Sequence, residues 1–279
     1  MRRPRLCISL LTAAKGPVGP GERGLQPYQQ RLASLLAVSG ALFFAPGLRL
    51  KDGRPTPYFV NLGVLRSGRL SLELGRCFAD WLAHSGLAKQ SPVLLGPSYK
   101  GSAIAQAAAI ALWQDHGVEL EFDYDRKEAK THGEASGQGS WFVTGALRPG
   151  RPVLIMDDVG TSMATKIELL DKLGAEGRRQ GQEFAVLGVA LAVDREQTQA
   201  VYDEHGQVME GVKGADALAA FTQKTGLTVW PLLGIRAAVG YLHQSREPVL
   251  VEGRRRPLDD GLLARVDEYL AVYGREARP

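Results

Sequence analysis

Apolar positions along this chain follow two patterns, one typical of helices and one typical of buried strands. Some segments place apolar side chains three and four positions apart, which is the spacing of one helix face, and others are short continuous apolar runs. The helical pattern predicts helices over Tyr28–Val38, Leu72–Leu82, Ala103–Trp113, Ala164–Leu173 and Leu262–Tyr273. The strand patterns predict strands over Pro92–Leu95, Val118–Tyr124, Arg151–Met156, Phe184–Val193 and Thr228–Leu232.

The order of these segments predicts the fold class. Strands that alternate with helices of roughly 10–15 residues are typical of an α/β protein with a parallel sheet and right-handed crossovers. The polar, glycine-bearing stretches 131–140 and 203–214 are predicted to be loops. Ligands of open parallel sheets bind beyond the carboxyl ends of the strands. The residues that follow each predicted strand are therefore the first candidates for a functional site.

Two adjacent aspartates and a small hydroxyl-bearing turn follow the predicted strand Arg151–Met156. The turn Val159–Thr165 leads into a predicted helix, so its backbone N–H groups and the helix N-terminus suit a phosphate. Because Asp157 and Asp158 would repel that phosphate, we expect them to hold hydroxyl groups or a metal one sugar's width away. An ordinary aspartate N-cap is the alternative, but two adjacent carboxylates after a buried strand favour a functional site.

A turn containing two glycines and a lysine follows the predicted strand Pro92–Leu95. The sequence Gly96–Ser102 nearly matches a P-loop but lacks the lysine after the second glycine, so nucleoside triphosphate hydrolysis is not supported. Glycines on both sides of a lysine at the start of a helix still predict an anion-binding turn.

A cationic stretch follows the predicted strand Val118–Tyr124. Within seven residues it contains three cations and a histidine: Arg126, Lys127, Lys130 and His132. A charge run usually forms a solvated surface, but at a strand end, before a glycine- and serine-rich segment, it favours a lid that closes on an anion. No His/Cys cluster has the spacing of a zinc site.

Composition is that of an ordinary soluble globular protein. The 279 residues are 44% hydrophobic and 23% charged, and no run of roughly 18 apolar residues could span a membrane. Two cysteines, Cys7 and Cys77, cannot build a disulfide framework, which fits a reducing compartment. Residues 1–26 hold five basic residues and one acidic residue, which leaves 29 of each sign in residues 27–279. This neutral balance argues against a nucleic-acid binder, which needs a broad basic surface.

Residues 1–26 form a leader that differs from the rest of the chain. A basic start followed by a nine-residue apolar stretch resembles a secretory signal, but no small-residue cleavage site follows and Lys15 ends the apolar run. We therefore interpret the leader as a disordered or start-site extension.

The motif VLIMDDVGTSMATKIE resembles the phosphoribosyl pyrophosphate (PRPP) signature of the type I phosphoribosyltransferases. Within that class, the motifs GPSYKG, DYDRKEAKTHGE and LKDGRPTPYFVNLG resemble those of the orotate phosphoribosyltransferases. The resemblance covers roughly Pro27 to Leu233. It implies a phosphoribosyltransferase domain over residues 27–279, with a central parallel sheet flanked by helices. A small N-terminal hood would cover about residues 27–65, and a flexible catalytic loop residues 126–140.

The resemblance implies a role for each candidate residue. The ribose hydroxyls of PRPP would bind Asp157 and Asp158, and its 5′-phosphate would bind Val159, Gly160, Thr161, Ser162, Met163, Ala164 and Thr165. The remaining PRPP contacts would come from Lys51, Tyr99, Lys100, Arg126, Lys127, Lys130 and His132. Orotate would contact Phe59, Val60, Thr161 and Arg195, and the catalytic residues would be Lys100, Lys130, His132 and Asp158.

The same resemblance implies a magnesium cofactor and a second subunit. Mg²⁺ would be bound mainly through PRPP and pyrophosphate rather than by a set of protein ligands. The catalytic loop would close over the active site of the partner in a homodimer with shared active sites. The substrates PRPP and orotate would place the protein in the cytoplasm, with neither nucleic acid nor membrane as a partner.

The phosphate turn departs from the family pattern at two positions. Met163 replaces the usual glycine, and Ala164 replaces the following hydroxyl residue. Because methionine adopts a positive φ only at a cost, we expect the turn to differ locally, with Gly160 supplying flexibility.

Two alternative functions stay open. A phosphoribosyltransferase for another base would lack the RKEAK run and the hood residues, and a PRPP-sensing regulator would carry a basic surface or a DNA-binding module.

Overall fold

The computed structural model describes residues 8–10, 24–128, 140–160 and 162–276. Its strands are β1 (Ile8–Leu10), β2 (Leu42–Phe44), β3 (Tyr58–Val60), β4 (Val93–Gly96), β5 (Phe122–Tyr124), β6 (Val153–Val159), β7 (Phe184–Asp194), β8 (Thr228–Gly234), β9 (Val249–Val251) and β10 (Arg254–Arg256). Its α-helices are α1 (Pro27–Ser39), α2 (Gly68–Ser85), α3 (Lys100–His116), α4 (Ala164–Gln180), α5 (Ala217–Thr225), α6 (Ile235–Ser245) and α7 (Asp260–Tyr273).

Six parallel strands form the central sheet. They run in the order β5, β4, β6 and β7, and both β1 and β8 pair along the outer edge of β7. Because β7 has 11 residues, β1 pairs with Phe184–Val186 and β8 with Gly188–Asp194. The prediction of an α/β fold with a central parallel sheet is confirmed. The carboxyl ends of β4, β6 and β7 lie at the same end of this sheet, where ligands are expected.

Helices cover both faces of the sheet. Neighbouring residues of a strand point to opposite faces, so Leu94 and Leu154 pack with α1, α2, α3, α6 and α7, whereas Val93 and Ile155 pack with α4 and α5. Burial on both faces explains why β4 and β6 read as continuous apolar runs. Within the described part of the chain, no helix is long and apolar enough to cross a membrane.

A second, four-stranded sheet forms the hood beside the main sheet. Its order is β10, β9, β2 and β3, with β2 antiparallel to β3 and parallel to β9. Residues 27–65 therefore supply only half of its strands, and the other half come from residues 249–256 near the C-terminus. Our sequence analysis assigned no role to that part of the chain, because the pairing of β2 with β9 spans about two hundred residues and leaves no local pattern.

Three local predictions differ from the structure. The strand predicted over Val118–Tyr124 is limited to Phe122–Tyr124, which pair with β4. The helices α5 and α6 were not predicted. Ile8–Leu10, which lie in the predicted disordered extension, pair as the edge strand β1 with β7. The rest of residues 1–23 lies outside the described residues, so their interpretation as an extension stays a prediction.

Candidate active site

The two predicted aspartates lie at the carboxyl end of β6, and each faces a lysine. Asp157 is 6% exposed and accepts a hydrogen bond from the amino group of Lys166, which is itself 4% exposed. Lys166 also donates to the backbone carbonyl of Val159 at 3.1 Å. Asp158 accepts a hydrogen bond of 2.7 Å from Lys100 at the start of α3. The structure therefore joins the carboxyl end of β6 to the turn after β4, as the strand-end argument predicts.

Burial governs the protonation of this acidic pair. Removal from water raises the pKa of Asp157, and the neighbouring Asp158 raises it further, whereas the charge of Lys166 lowers it. Without Lys166, two adjacent carboxylates would lie in a nearly closed site with one cation between them. Lys166 is thus the group that opposes the rise in the pKa of Asp157.

Sequence reasoning missed Lys166, although a signal for it existed. A lysine near the start of a helix is usually solvated, and the sequence analysis assigned no role to this one. Lys166 nevertheless shares the spacing of Leu169, Leu170 and Leu173, which form the buried face of α4. A lysine on a core-facing stripe needs a buried partner, and two aspartates directly precede this helix.

The predicted phosphate turn follows β6 and differs from our expectation at Met163. This residue adopts the left-handed conformation (φ 59°, ψ 7°) that we expected a methionine to avoid. Its side chain is buried in the core cluster beneath α4, and a Cβ added to Gly160 would lie 3.1 Å from the Met163 sulfur. Burying a methionine contributes roughly 1.5–3 kcal/mol, which offsets a left-handed penalty of about 1–2 kcal/mol. Gly160 therefore provides space for Met163 rather than flexibility.

The outward side of the same turn is formed by small residues. Ser162, Ala164 and Thr165 are exposed at the start of α4, and the Ser162 hydroxyl lies 3.4 Å from the backbone N–H of Ala164. Thr161 lies outside the described residues. This turn presents a helix N-terminus and hydroxyl groups to solvent, which is an arrangement that binds phosphate.

The turn after β4 is held against its neighbours by close backbone contacts. A Cβ at Gly101 would lie 2.8 Å from the carbonyl oxygen of Met156, so only glycine allows α3 to approach β6 this closely. Tyr99 is 77% exposed, and the Lys127 amino group lies 5.2 Å from the centre of its ring. Tyr99, Lys100 and Asp158 line a cavity of about 270 Å³ together with residues 62–65 and the first turns of α2 and α3.

Asp125 and Lys172 join the base of the predicted catalytic loop to this turn. Asp125 accepts a hydrogen bond of 2.6 Å from the backbone N–H of Ser98 and another from the Lys172 amino group. Lys172 also donates to the backbone carbonyl of Arg126 at 2.7 Å, and the N–H of Arg126 donates to the carbonyl of Trp141. The two ends of the loop are thus in contact. Lys130 and His132 lie outside the described residues.

The predicted orotate-binding residues lie on the hood and on the turn after β7. Val60 is buried and Phe59 is half-buried, with its ring 5.7 Å from that of Phe43. Val60 precedes the segment 62–65 that lines the cavity, so the hood reaches the site through this connection. The backbone carbonyl of Arg195 accepts a hydrogen bond of 3.1 Å from the hydroxyl of Tyr58.

Charge places Arg195 beside the hood turn that carries Lys51. Burial raises the pKa of Asp52, but hydrogen bonds from Arg54 and the charges of Arg54 and Arg195 outweigh that effect and leave the pKa below its usual value. Lys51, next to Asp52, is exposed. The structure therefore brings the turn at Arg195 close to the hood, and the roles implied by the resemblance stay predictions.

An acidic pair, a phosphate-type turn and a lysine turn at the ends of adjacent parallel strands define a type I phosphoribosyltransferase. Solved structures share this fold. An orotate phosphoribosyltransferase of Francisella tularensis superimposes with a TM-score of 0.65 at 23% identity, covering 86% of this chain and 98% of that chain. The UMP synthase of Leishmania donovani gives a TM-score of 0.58 at 20% identity, covering 87% of this chain and 42% of its own. No family model matches the chain.

Curated relatives give the particular family. The orotate phosphoribosyltransferase of Chromohalobacter salexigens is 38% identical over 221 residues, which cover 78% of this chain and 84% of the relative. That of Methylococcus capsulatus is 32% identical over 253 residues, 90% of this chain and 99% of the relative. The chain therefore belongs to the orotate phosphoribosyltransferase family.

Proposed function

We propose that this chain transfers the phosphoribosyl group of PRPP to orotate, giving orotidine 5′-monophosphate and pyrophosphate in pyrimidine biosynthesis. The observation that carries the proposal is the contact between Lys100 and Asp158 at the mouth of the cavity. It joins a cation suited to the diphosphate and a carboxylate suited to the ribose hydroxyls, and family membership supplies the identity of the base.

The reaction moves negative charge onto the leaving group. A ring nitrogen of orotate forms a bond to the anomeric carbon, the bond from that carbon to the diphosphate oxygen breaks, and its electron pair leaves with pyrophosphate. The sugar passes through an oxocarbenium-like state, so cations beside the diphosphate lower the barrier. We assign this role to Lys100 and, on the catalytic loop, to Arg126, Lys130 and His132.

Substrate binding exchanges the partners of Lys100. In the structure its ammonium neutralises Asp158, and the diphosphate of PRPP offers it a stronger anionic partner. The exchange frees Asp158 to accept hydrogen bonds from a ribose hydroxyl. Asp157 stays paired with Lys166, so the two carboxylates act differently: Asp158 changes partners with the substrate, and Asp157 keeps its counter-ion.

Magnesium fits this site as a companion of the substrate. In the described parts of the chain, no three His, Cys, Asp or Glu side chains come together to hold a metal ion. Asp158 offers one oxygen ligand near the diphosphate position, and the other ligands would come from PRPP. When bound, Mg²⁺ would neutralise part of the charge that develops on pyrophosphate.

We also propose a homodimer in the cytoplasm. Helix α3 presents an exposed apolar stripe that continues from the cavity: Ala103, Ala107, Ile110 and Trp113. Ile110 is 44% and Trp113 is 59% exposed. A second copy packed on this stripe would lie beside the cavity, because Ala103 and Ala107 belong to the lining of the cavity.

Incubation of the protein with PRPP, Mg²⁺ and orotate tests the proposal directly, because orotate absorbance falls as the nucleotide forms. We expect loss of orotate that depends on PRPP and is matched by pyrophosphate release. Parallel reactions with adenine and uracil test the transferase alternative. Turnover of either base without turnover of orotate would contradict the proposed substrate.

A further inference from the structure

The turn after β7 carries Arg195 and is fixed on both sides of that residue. Asp194 accepts hydrogen bonds from the guanidinium of Arg275 through one carboxylate oxygen and from the N–H of Glu196 through the other, the latter at 2.7 Å. The carbonyl of Arg195 accepts the hydroxyl of Tyr58. An arginine that only contacts solvent would not need these hydrogen bonds, so we infer that the backbone position of Arg195 matters for its function.

Glu196 is held in a conformation that its surroundings must maintain. Its φ of 53° lies in the left-handed region, which is costly for a residue other than glycine. Its carboxylate accepts a hydrogen bond of 2.8 Å from the N–H of Arg236 at the start of α6, and its carbonyl accepts one of 2.9 Å from the N–H of Arg275. Burial raises the pKa of Glu196, although the bond from Arg236 lowers it in part.

The segment after α7 supplies most of these contacts. The carbonyl of Tyr273 accepts the N–H of Thr198 at 2.9 Å and its hydroxyl at 3.0 Å. The side chains of Arg275 and Asp194 are only 7% and 3% exposed. Residues near the C-terminus therefore form a clamp, defined here as Tyr273–Arg275, against the turn 194–198. Separating Arg275 from Asp194 would leave a buried charge without compensation, so this ion pair holds the clamp against the turn.

We propose that this clamp positions Arg195 for orotate, with Arg275 as the main positioning residue. The proposal rests on the proposed function, in which Arg195 contacts orotate. Among the described residues, none of those assigned to PRPP has a hydrogen bond with the clamp, which contacts the turn after β7, so we expect the clamp to act on orotate binding. It also gives a reason for the path of the chain, which completes the hood with β9, continues through α7 and then returns to the turn after β7.

Steady-state kinetics of an Arg275→Met variant test the clamp. We expect the KM for orotate to rise roughly tenfold to a hundredfold, the range over which a misplaced binding group lowers efficiency, while the KM for PRPP stays at the wild-type value. Arg275→Lys keeps the charge but not the two-nitrogen contact, so it should lie between Arg275→Met and wild type. Arg256→Met, which removes a half-buried arginine of β10 paired with Asp259 at the start of α7, is the matched control and should change neither constant.

A second variant decides the case if Arg275→Met does not fold. Tyr58→Phe removes the hydroxyl that donates to the carbonyl of Arg195 and accepts a hydrogen bond of 2.9 Å from the side-chain amide of Gln197, both on the turn 194–198. We expect it to raise the KM for orotate about two- to tenfold. Unchanged orotate KM values in the folded variants, or equal losses for orotate and PRPP, would overturn the proposal. Inactive wild-type protein would instead refute the proposed function.

Discussion

Lys166→Met is the most informative substitution at the acidic pair. It replaces a buried ammonium with an apolar group of similar length and leaves Asp157, 6% exposed, without its counter-ion. Removing one member of a buried pair typically costs about 3–5 kcal/mol of unfolding free energy. We expect the lower end of that range, because the methionine side chain packs where the lysine stem did.

The stability loss should depend on pH in a defined direction. The folded-state pKa of Asp157 already lies above its ordinary value, chiefly through burial, and removal of Lys166 raises it further. Between the unfolded and folded values the folded state holds a proton that the unfolded state has released, so the free energy of unfolding falls as pH rises. The deficit of the variant should therefore be smallest at acid pH and reach its full size above the folded-state pKa.

Activity should change with pH in the opposite direction. Ionised Asp157 is needed for a ribose hydroxyl, so kcat/KM for PRPP in the variant should recover as pH rises, and its acid limb should lie at higher pH than in wild type. Urea unfolding and initial rates measured between about pH 5 and pH 8 give both curves. Lys224→Met, at an exposed lysine of α5, is the control. A stability deficit that is the same at every pH would refute the charge argument.

Three further predictions follow from the same structure. Gly160→Ala should destabilise the fold by about 1–3 kcal/mol and weaken PRPP binding, because the new Cβ would lie 2.7 Å from Leu191 and displace Met163; thermal unfolding and a PRPP titration measure this, and a neutral result would contradict the steric role of Gly160. A chain that begins at Gly24 should keep full activity, since β1 pairs with the start of β7 and the site lies at its other end; loss of soluble protein would show that the leader supports the fold. Lys130→Ala and Asp158→Asn chains, each nearly inactive alone, should regain up to about a quarter of wild-type activity when their subunits exchange, and exchanged mixtures that stay inactive would show that the loop serves its own subunit.

Local sequence patterns were sufficient to predict the main strands of the central sheet and the site residues that directly follow them. The strands β4, β6 and β7 are buried on both faces, so their apolar runs show where they lie, and the polar residues after them show where ligands bind. Asp158 and Lys100 were predicted separately, and the parallel pairing of β4 with β6 brings them into contact. For these elements the signal lies within each strand and the turn that follows it, although Lys100 and Asp158 are 58 residues apart in sequence.

The features that the sequence analysis missed have no such local signal. They are stabilised by residues distant in sequence, or they adopt a backbone conformation that is uncommon for their residue type. The hood depends on β9, and the turn at Arg195 depends on Arg275, neither of which leaves a signal near its partner. Met163 adopts a glycine-like conformation because its side chain enters the core and Gly160 makes room for it.

Lys166 combines a local and a non-local signal. Its position on the buried stripe of α4 is visible in the sequence, but its role as a counter-ion depends on Asp157, which the phosphate turn brings close. Met163 and Lys166 lie three residues apart and have different roles in one turn. The buried methionine sets the path of the backbone, and the carbonyl of Met163 accepts a hydrogen bond of 3.0 Å from the N–H of Lys166. A turn without the usual glycine therefore still places a counter-ion beside Asp157, because the helix that follows Met163 carries Lys166.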